Sequence, residues 1–131
     1  MDLSTSYLGL DLQNPLVVGS SPLTMTVDSI RECAEAGAGA VVLKSVFEEQ
    51  IRAANQHVDD SLAGEGTWHT EVFDYIEAEI GMRYGTREYL ELIRRAKAAV
   101  DIPIIASVNC LSADWWVDFA QEAQAAGADA V

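Results

Sequence analysis

Short apolar runs alternate along this chain with stretches in which apolar residues return every three or four positions. Residues 5–13, TSYLGLDLQ, alternate Tyr7, Leu8, Leu10 and Leu12 around Gly9, which predicts a short hairpin. Asn14-Pro15 resets the chain, and LVVGSS (16–21) reads as a buried strand ending in small polar residues. Thr26 is placed to cap a helix whose Val27, Ile30 and Ala34 fall on one face, with Gly37 closing it. The strand AVVLK (40–44) follows at once. Between 45 and 85 no single period dominates: FEEQIRAAN (47–55) and EVFDYIEAEI (71–80) look helical, and DDSLAGEGTWH (59–69) looks like loop. Thr86 caps a firm helix with Tyr89, Leu92, Ile93, Ala96 and Val100 on one stripe. Asp101-Ile102-Pro103 turns into the strand IIASV (104–108), the helix DWWVDFAQEAQAA (114–126) comes next, and AGADAV ends the sequence.

One piece occurs twice. Ala36-Gly37-Ala38-Gly39-Ala40-Val41 and Ala126-Gly127-Ala128-Asp129-Ala130-Val131 share the pattern AGAxAV. In each, glycine ends a helix, small alanines allow close approach to the sheet, and valine starts a strand. Residues 130–131 are therefore the first step of a fourth strand. Strand–helix alternation with β-branched strands predicts a parallel sheet covered by helices. A doubly wound nucleotide domain would carry GxGxxG after its first strand, and VVGSSPLTM lacks it. The reading is α/β, a (β/α)8 TIM barrel. Residues 1–131 supply its N-terminal half, strands one to the start of four, with an insertion at about 45–85 between the second strand and its helix.

Composition narrows the function. The 131 residues are half hydrophobic and carry 21 acids against 8 bases, a net charge of -13. Phosphate backbones and anionic membranes are met by clustered Lys and Arg, so neither nucleic acid nor a membrane is the expected partner. No apolar run approaches the roughly 18 residues of a membrane span, and no basic stretch precedes an apolar core at the start. Cys33 and Cys110 show no CxxC spacing, and the expected compartment is the reducing cytoplasm.

AVVLKS (40–45) raises the chemical question, because four apolar residues run straight into a lysine. A buried ammonium is costly unless something neutralises it. In a barrel of this kind the site is built at the C-terminal ends of the strands. Those ends are Gly19-Ser20-Ser21, Lys44-Ser45 and Ser107-Val108-Asn109-Cys110. Three strands end in small hydrogen-bonding groups and one adds a cation. Backbone around Gly19 offers close approach to a planar ligand, Lys44 faces its electron-rich part, and Asn109 gives a ring edge both donor and acceptor.

The quoted pieces also carry a resemblance. YLGLDLQNPLVVGSSPLT (7–24), AGAGAVVLKSVFEEQI (36–51) and IPIIASVNCLSADWWVDFAQEAQAAGADAV (102–131) resemble the class 1 dihydroorotate dehydrogenase family and its relatives, among them the flavin barrel of dihydropyrimidine dehydrogenase. The resemblance implies FMN at the barrel mouth, with Gly19, Ser20 and Ser21 along the flavin. It implies Lys44 between flavin and substrate, Ser45 bonded to the flavin beside it, and Asn109 reaching the cofactor from the third strand. It implies an FMN-dependent oxidoreductase of pyrimidine metabolism that takes a hydride from a dihydropyrimidine-like CH–CH bond. The family's orotate loop, of the type Asn-x-x-Gly-Leu-Pro-Asn, is not matched by GEGTWHTEVFDYIEAEIGMRYGT, so dihydroorotate itself is not implied. The family's base follows strand four, beyond Val131.

The other candidates read as structural. Cys110 follows strand three and is a structural thiol. His57 and His69, with Asp59, Asp60 and Glu65 between them, lack metal-ligand spacing, so no metal is expected. Arg94, Arg95 and Lys97 lie on a solvated helix face. Trp116 continues the stripe of Phe119, Ala120 and Ala123, and Trp115 flanks it, placed for a subunit contact in a homodimer. Two alternatives stand beside the oxidoreductase: a non-catalytic half-barrel that self-associates, and an aldolase using Lys44 as a Schiff-base amine, against which Glu48 and Glu49 argue.

Overall fold

A computed structural model describes residues 2–47, 86–109 and 113–131. The expected insertion beyond Phe47, both histidines, Trp68, Cys110 and the two glutamates at 48–49 lie outside the described residues. In chain order the elements are β1 (Thr5–Tyr7), β2 (Leu10–Leu12), β3 (Val17–Val18), a 3-10 turn (Pro22–Thr24) and α1 (Val27–Glu35). Then come β4 (Ala40–Val42), β5 (Val46–Phe47), α2 (Thr86–Ala99), β6 (Ile104–Ile105), β7 (Val108–Asn109) and α3 (Ala113–Ala125).

The predicted hairpin forms, β1 antiparallel to β2 with Thr5 opposite Leu12. Its two-residue loop holds Leu8 at φ 53 and Gly9 at φ 75, the paired left-handed residues that a tight hairpin turn demands. The sheet is parallel in the order β3-β4-β6. Beyond β6, Ile105 bridges Ala130 in parallel, Asp129 N–H donates to the Ile104 carbonyl at 2.9 Å, and Ala106 N–H donates to the Ala130 carbonyl at 2.8 Å. The fourth strand therefore begins where the AGAxAV repeat puts it.

The strands of this sheet lie side by side in chain order, and the three helices among the described residues cover one face. Ile30 of α1, Tyr89, Leu92, Ile93 and Ala96 of α2, and Phe119 and Ala123 of α3 share one core with Val41, Leu43, Ile104 and Ala106 of the sheet. A doubly wound sheet would place helices on both faces. On the opposite face the hairpin packs instead: Leu12 with Ala40 and Ile105, flanked by Leu10, Val42 and Ala130. The two faces separate because strand residues alternate sides. Among the described residues, no helix is long and apolar enough to cross a membrane.

Both glycine-closed junctions form as the repeat requires. Gly37 at φ 94 and Gly127 at φ 103 occupy the left-handed region after α1 and α3. Gly37 N–H donates to Ala34 and Ala38 N–H to Cys33, and Gly127 and Ala128 bond likewise to Gln124 and Ala123. These paired bonds satisfy the last helical carbonyls. The Thr26 cap is present as well, its hydroxyl accepting from Ser29 N–H at 3.2 Å.

Several expectations are corrected. LVVGSS is not buried: Leu16 is 68% exposed and Val17 37%, because β3 is the open edge of the described sheet. Trp115, not Trp116, joins the core stripe of α3. Its ring stacks on Phe119 at 5.0 Å, in line with the i, i+4 spacing 115, 119, 123, while Trp116 is 47% exposed. Lys97 does not stand free in solvent. Its ammonium binds both carboxylate oxygens of Asp129, at 3.0 and 2.8 Å, and Asp129 Oδ2 also accepts the Ile104 N–H at 2.7 Å.

Candidate functional site

The strand that carries Lys44 is not continuous. Val41 and Val42 stand opposite Ile104 and Ile105, and further on Val46 and Phe47 stand opposite Val108 and Asn109. Between these pairs Leu43, Lys44 and Ser45 face only Ala106 and Ser107. One strand therefore carries an extra residue, which is a β-bulge. Burial records the same event. Along 104–109 the side chains packed on the helices are Ile104, Ala106 and Val108, in strict alternation. Along 40–47 they are Val41, Leu43 and then Val46. Lys44 and Ser45 both fall between the two helix-facing positions. The apolar run ends on a charge because the strand there turns its side chains away from the core.

Every backbone donor of the bulge has a destination. Leu43 N–H donates to Ile105 at 2.9 Å and Val46 N–H to Ser107 at 3.1 Å, which close the bulge at each end. Lys44 N–H donates to the Thr24 carbonyl at 3.4 Å, and Ser45 N–H to the Ser20 hydroxyl at 2.8 Å. Thr24, fully buried, is fixed in turn by Ser21: its hydroxyl donates to the Ser21 carbonyl at 3.0 Å and accepts Ser21 N–H at 3.3 Å.

Three hydroxyls then join three strand ends. Ser20 Oγ lies 3.0 Å from Ser45 Oγ, which lies 2.8 Å from Ser107 Oγ. Beneath them Tyr89, buried in α2, accepts Ser107 N–H at 2.9 Å and donates to the Ser107 carbonyl at 3.1 Å. The stripe residue that anchors α2 in the core thus also ties the helix to the strand end.

Of the six predicted residues, Ser20, Ser45 and Lys44 come together at one end of the sheet. Gly19 adjoins them, and among the described residues a Cβ built there would meet nothing within 4 Å, so its backbone faces open space. Ser21 is half-buried and its main chain is committed to Thr24, so it shapes the loop. Asn109 is exposed on β7, opposite Phe47, one alternation beyond Ser107 on the face away from the helices. Lys44 is half-buried, and among the described residues no carboxylate pairs with its ammonium. Among the described residues no cluster of His, Cys, Asp or Glu could hold a metal. Sequence reasoning missed Ser107 and Tyr89 as members of the cluster. Ser107 stood in the quoted strand end, but its hydroxyl partner is 62 positions away.

The arrangement is a cation beside a short line of hydroxyls and one primary amide, on a face where a flat ligand can approach bare backbone. Such a set donates hydrogen bonds and positive charge to an electron-rich ring edge. No protein-family model matches the chain. Over 131 residues, 99% of its length, the chain is 31% identical to the catalytic subunit of dihydroorotate dehydrogenase B (NAD(+)) of Thermoplasma acidophilum. It spans 40% of the length of that curated relative.

Proposed function

We propose that this chain contributes the first strands of a (β/α)8 barrel to an FMN-dependent oxidoreductase of the dihydroorotate dehydrogenase type, acting on a dihydropyrimidine-like CH–CH bond. The observation that carries the reading is the bulged strand end, where Lys44 stands beside the joined hydroxyls of Ser20, Ser45 and Ser107. The barrel is supported by strands in chain order with every described helix on one face. The chemistry is supported by the similarity to the Thermoplasma acidophilum protein.

The residues suit a flavin. Open space over Gly19 admits a planar ring, hydroxyls and the Asn109 amide match a ring edge rich in carbonyls and N–H groups, and Lys44 brings the positive charge. Bound FMN would supply a two-electron acceptor for hydride. Lys44 would stabilise negative charge arising on the ring, Ser20 and Ser45 would hold the ring edge, and Asn109 would orient it from the third strand. The small-molecule substrate would lie across Lys44 from the ring, and the assembly would be a homodimer.

Flavin fluorescence tests this. Titrating the chain into FMN should quench its emission to a saturating value, and Lys44→Ala should weaken binding by about tenfold, as befits a hydrogen bond from a charged group. If quenching does not saturate up to millimolar protein, the flavin reading fails. The mass of the same sample in solution tests the homodimer, which a monomer would refute.

A further inference from the structure

We infer that Ser107 is a positioning residue for Lys44, acting through Ser45 by the hydroxyl contact that spans the bulge. Among the described residues the backbone of Lys44 is held by a long bond: its N–H reaches the Thr24 carbonyl at 3.4 Å, outside the usual range for N–H···O. Its neighbour is held firmly on two sides, by the Ser20 hydroxyl at 2.8 Å from Ser45 N and by the Ser107 hydroxyl at 2.8 Å from Ser45 Oγ. Where Lys44 stands therefore follows from where Ser45 is pinned.

Ser107 is built for that task. It faces the bulge on the shorter strand, and each of its polar atoms is engaged. Its N–H goes to Tyr89, its carbonyl accepts from Tyr89 and Val46, and its hydroxyl meets Ser45. Tyr89 is anchored in the core between α2 and Phe119. The core thus fixes Ser107, Ser107 fixes Ser45, and Ser45 fixes the lysine. A bulge re-aims a side chain, and this one is locked from below by the helix layer.

The value of that lock to a cofactor rests on the flavin reading above, whereas the lock itself does not. The chain has two lysines, Lys44 and Lys97, and Lys97 is tied to Asp129 at the other end of the sheet. Reductive methylation with carbon-13 therefore gives, beside the amino terminus, one signal at the bulge and one internal control. In Ser107→Ala without ligand, the Lys44 methyl signal should move or broaden while the Lys97 signal keeps its wild-type position. Ser107→Thr, which keeps the hydroxyl, should restore it. Ser45→Ala cuts the same contact from the other side and should reproduce the displacement, which keeps the test decisive if Ser107→Ala loses the Lys97 signal through unfolding. An unmoved Lys44 signal in a folded variant lacking either hydroxyl overturns the proposal. FMN titration of Ser107→Ala should show roughly fivefold weaker binding, the size of one lost hydrogen bond. If the wild-type chain takes up no FMN, the flavin reading falls, and the methyl signals still decide the lock.

Discussion

Gly39 gives the sharpest test of the fold, because the two AGAxAV junctions differ at its position. A Cβ built on Gly39 would overlap the main-chain carbonyl oxygen of Asn14 and press on its side-chain Oδ1. That oxygen is main chain, so no rotamer change relieves the contact. The segment bearing it is fixed by three bonds: Gly39 N–H to the Leu16 carbonyl at 2.7 Å, Asn14 Nδ2 to Gly37 at 2.9 Å and Gln13 Nε2 to Ala38 at 3.2 Å. Gly39→Ala must push residues 13–16 away and lose part of that set, or accept the overlap. Bonds of about 1 kcal/mol each and an overpacking cost of about 1–3 kcal/mol bracket the loss at about 2–4 kcal/mol. For a small domain that lowers the urea midpoint by roughly 2 M with the slope unchanged. Gly19→Ala, with open space and no positive φ, should stay within about 0.5 kcal/mol of wild type. Gly37→Ala, strained at φ 94 but unobstructed, should lose only about 1–2 kcal/mol. The reasoning is refuted if Gly39→Ala unfolds at the wild-type midpoint, or if it is no worse than Gly37→Ala.

Other substitutions probe the remaining joints. Tyr89→Phe removes the oxygen that both accepts from and donates to Ser107, and should cost about 1–3 kcal/mol in urea unfolding followed by circular dichroism. Phe119→Ala opens the core between Tyr89 and Trp115 and should cost about 3–5 kcal/mol, with a change in Trp115 fluorescence as its stacking partner disappears. Lys97→Met removes the ammonium from a partly exposed pair and should cost no more than about 1 kcal/mol, whereas Asp129→Ala also strips the Ile104 N–H of its acceptor and should cost more. Ser20→Ala removes the acceptor of Ser45 N–H, so that amide alone in the bulge should exchange faster with deuterium.

What could be read from sequence was what neighbours in the chain decide. The Leu8-Gly9 turn, the Thr26 cap and the glycines closing α1 and α3 are each settled within five residues, and each forms as expected. Periodicity placed the α2 stripe, yet in α3 it selected the wrong tryptophan, because Trp115 and Trp116 are adjacent and only the i+4 stack on Phe119 separates them. Burial of LVVGSS was misjudged because composition reports an apolar strand, not which neighbours it has. The Lys97–Asp129 pair joins positions 32 apart, and the bulge exists only as a mismatch between two strands. No local pattern around Lys44 contains it. The strand ends were legible as chemistry, and their assembly was not.

That assembly also bears on what the site can accept. The two halves of the open sheet face differ in kind: at one end Leu12, Ala40 and Ile105 close under the hairpin, and at the other the hydroxyls gather. Among the described residues no buried side-chain nitrogen or oxygen lacks a partner. Yet the hydroxyls are not used up. Ser20, Ser45 and Ser107 own three protons, and the two contacts between them consume two. One proton remains to be given, and rotation of the hydroxyls can place it on any of the three. Such a cluster can donate to an acceptor at the first strand, the second or the third without moving the backbone. Lys44, by contrast, sits at the bulge itself, between the pairs Val42–Ile105 and Val46–Val108. On the flavin reading proposed above, they would pair an electron-rich group at the lysine with one adaptable donor beside it. A ring edge bearing several acceptors meets both demands, and a ligand without a concentration of negative charge meets only the second.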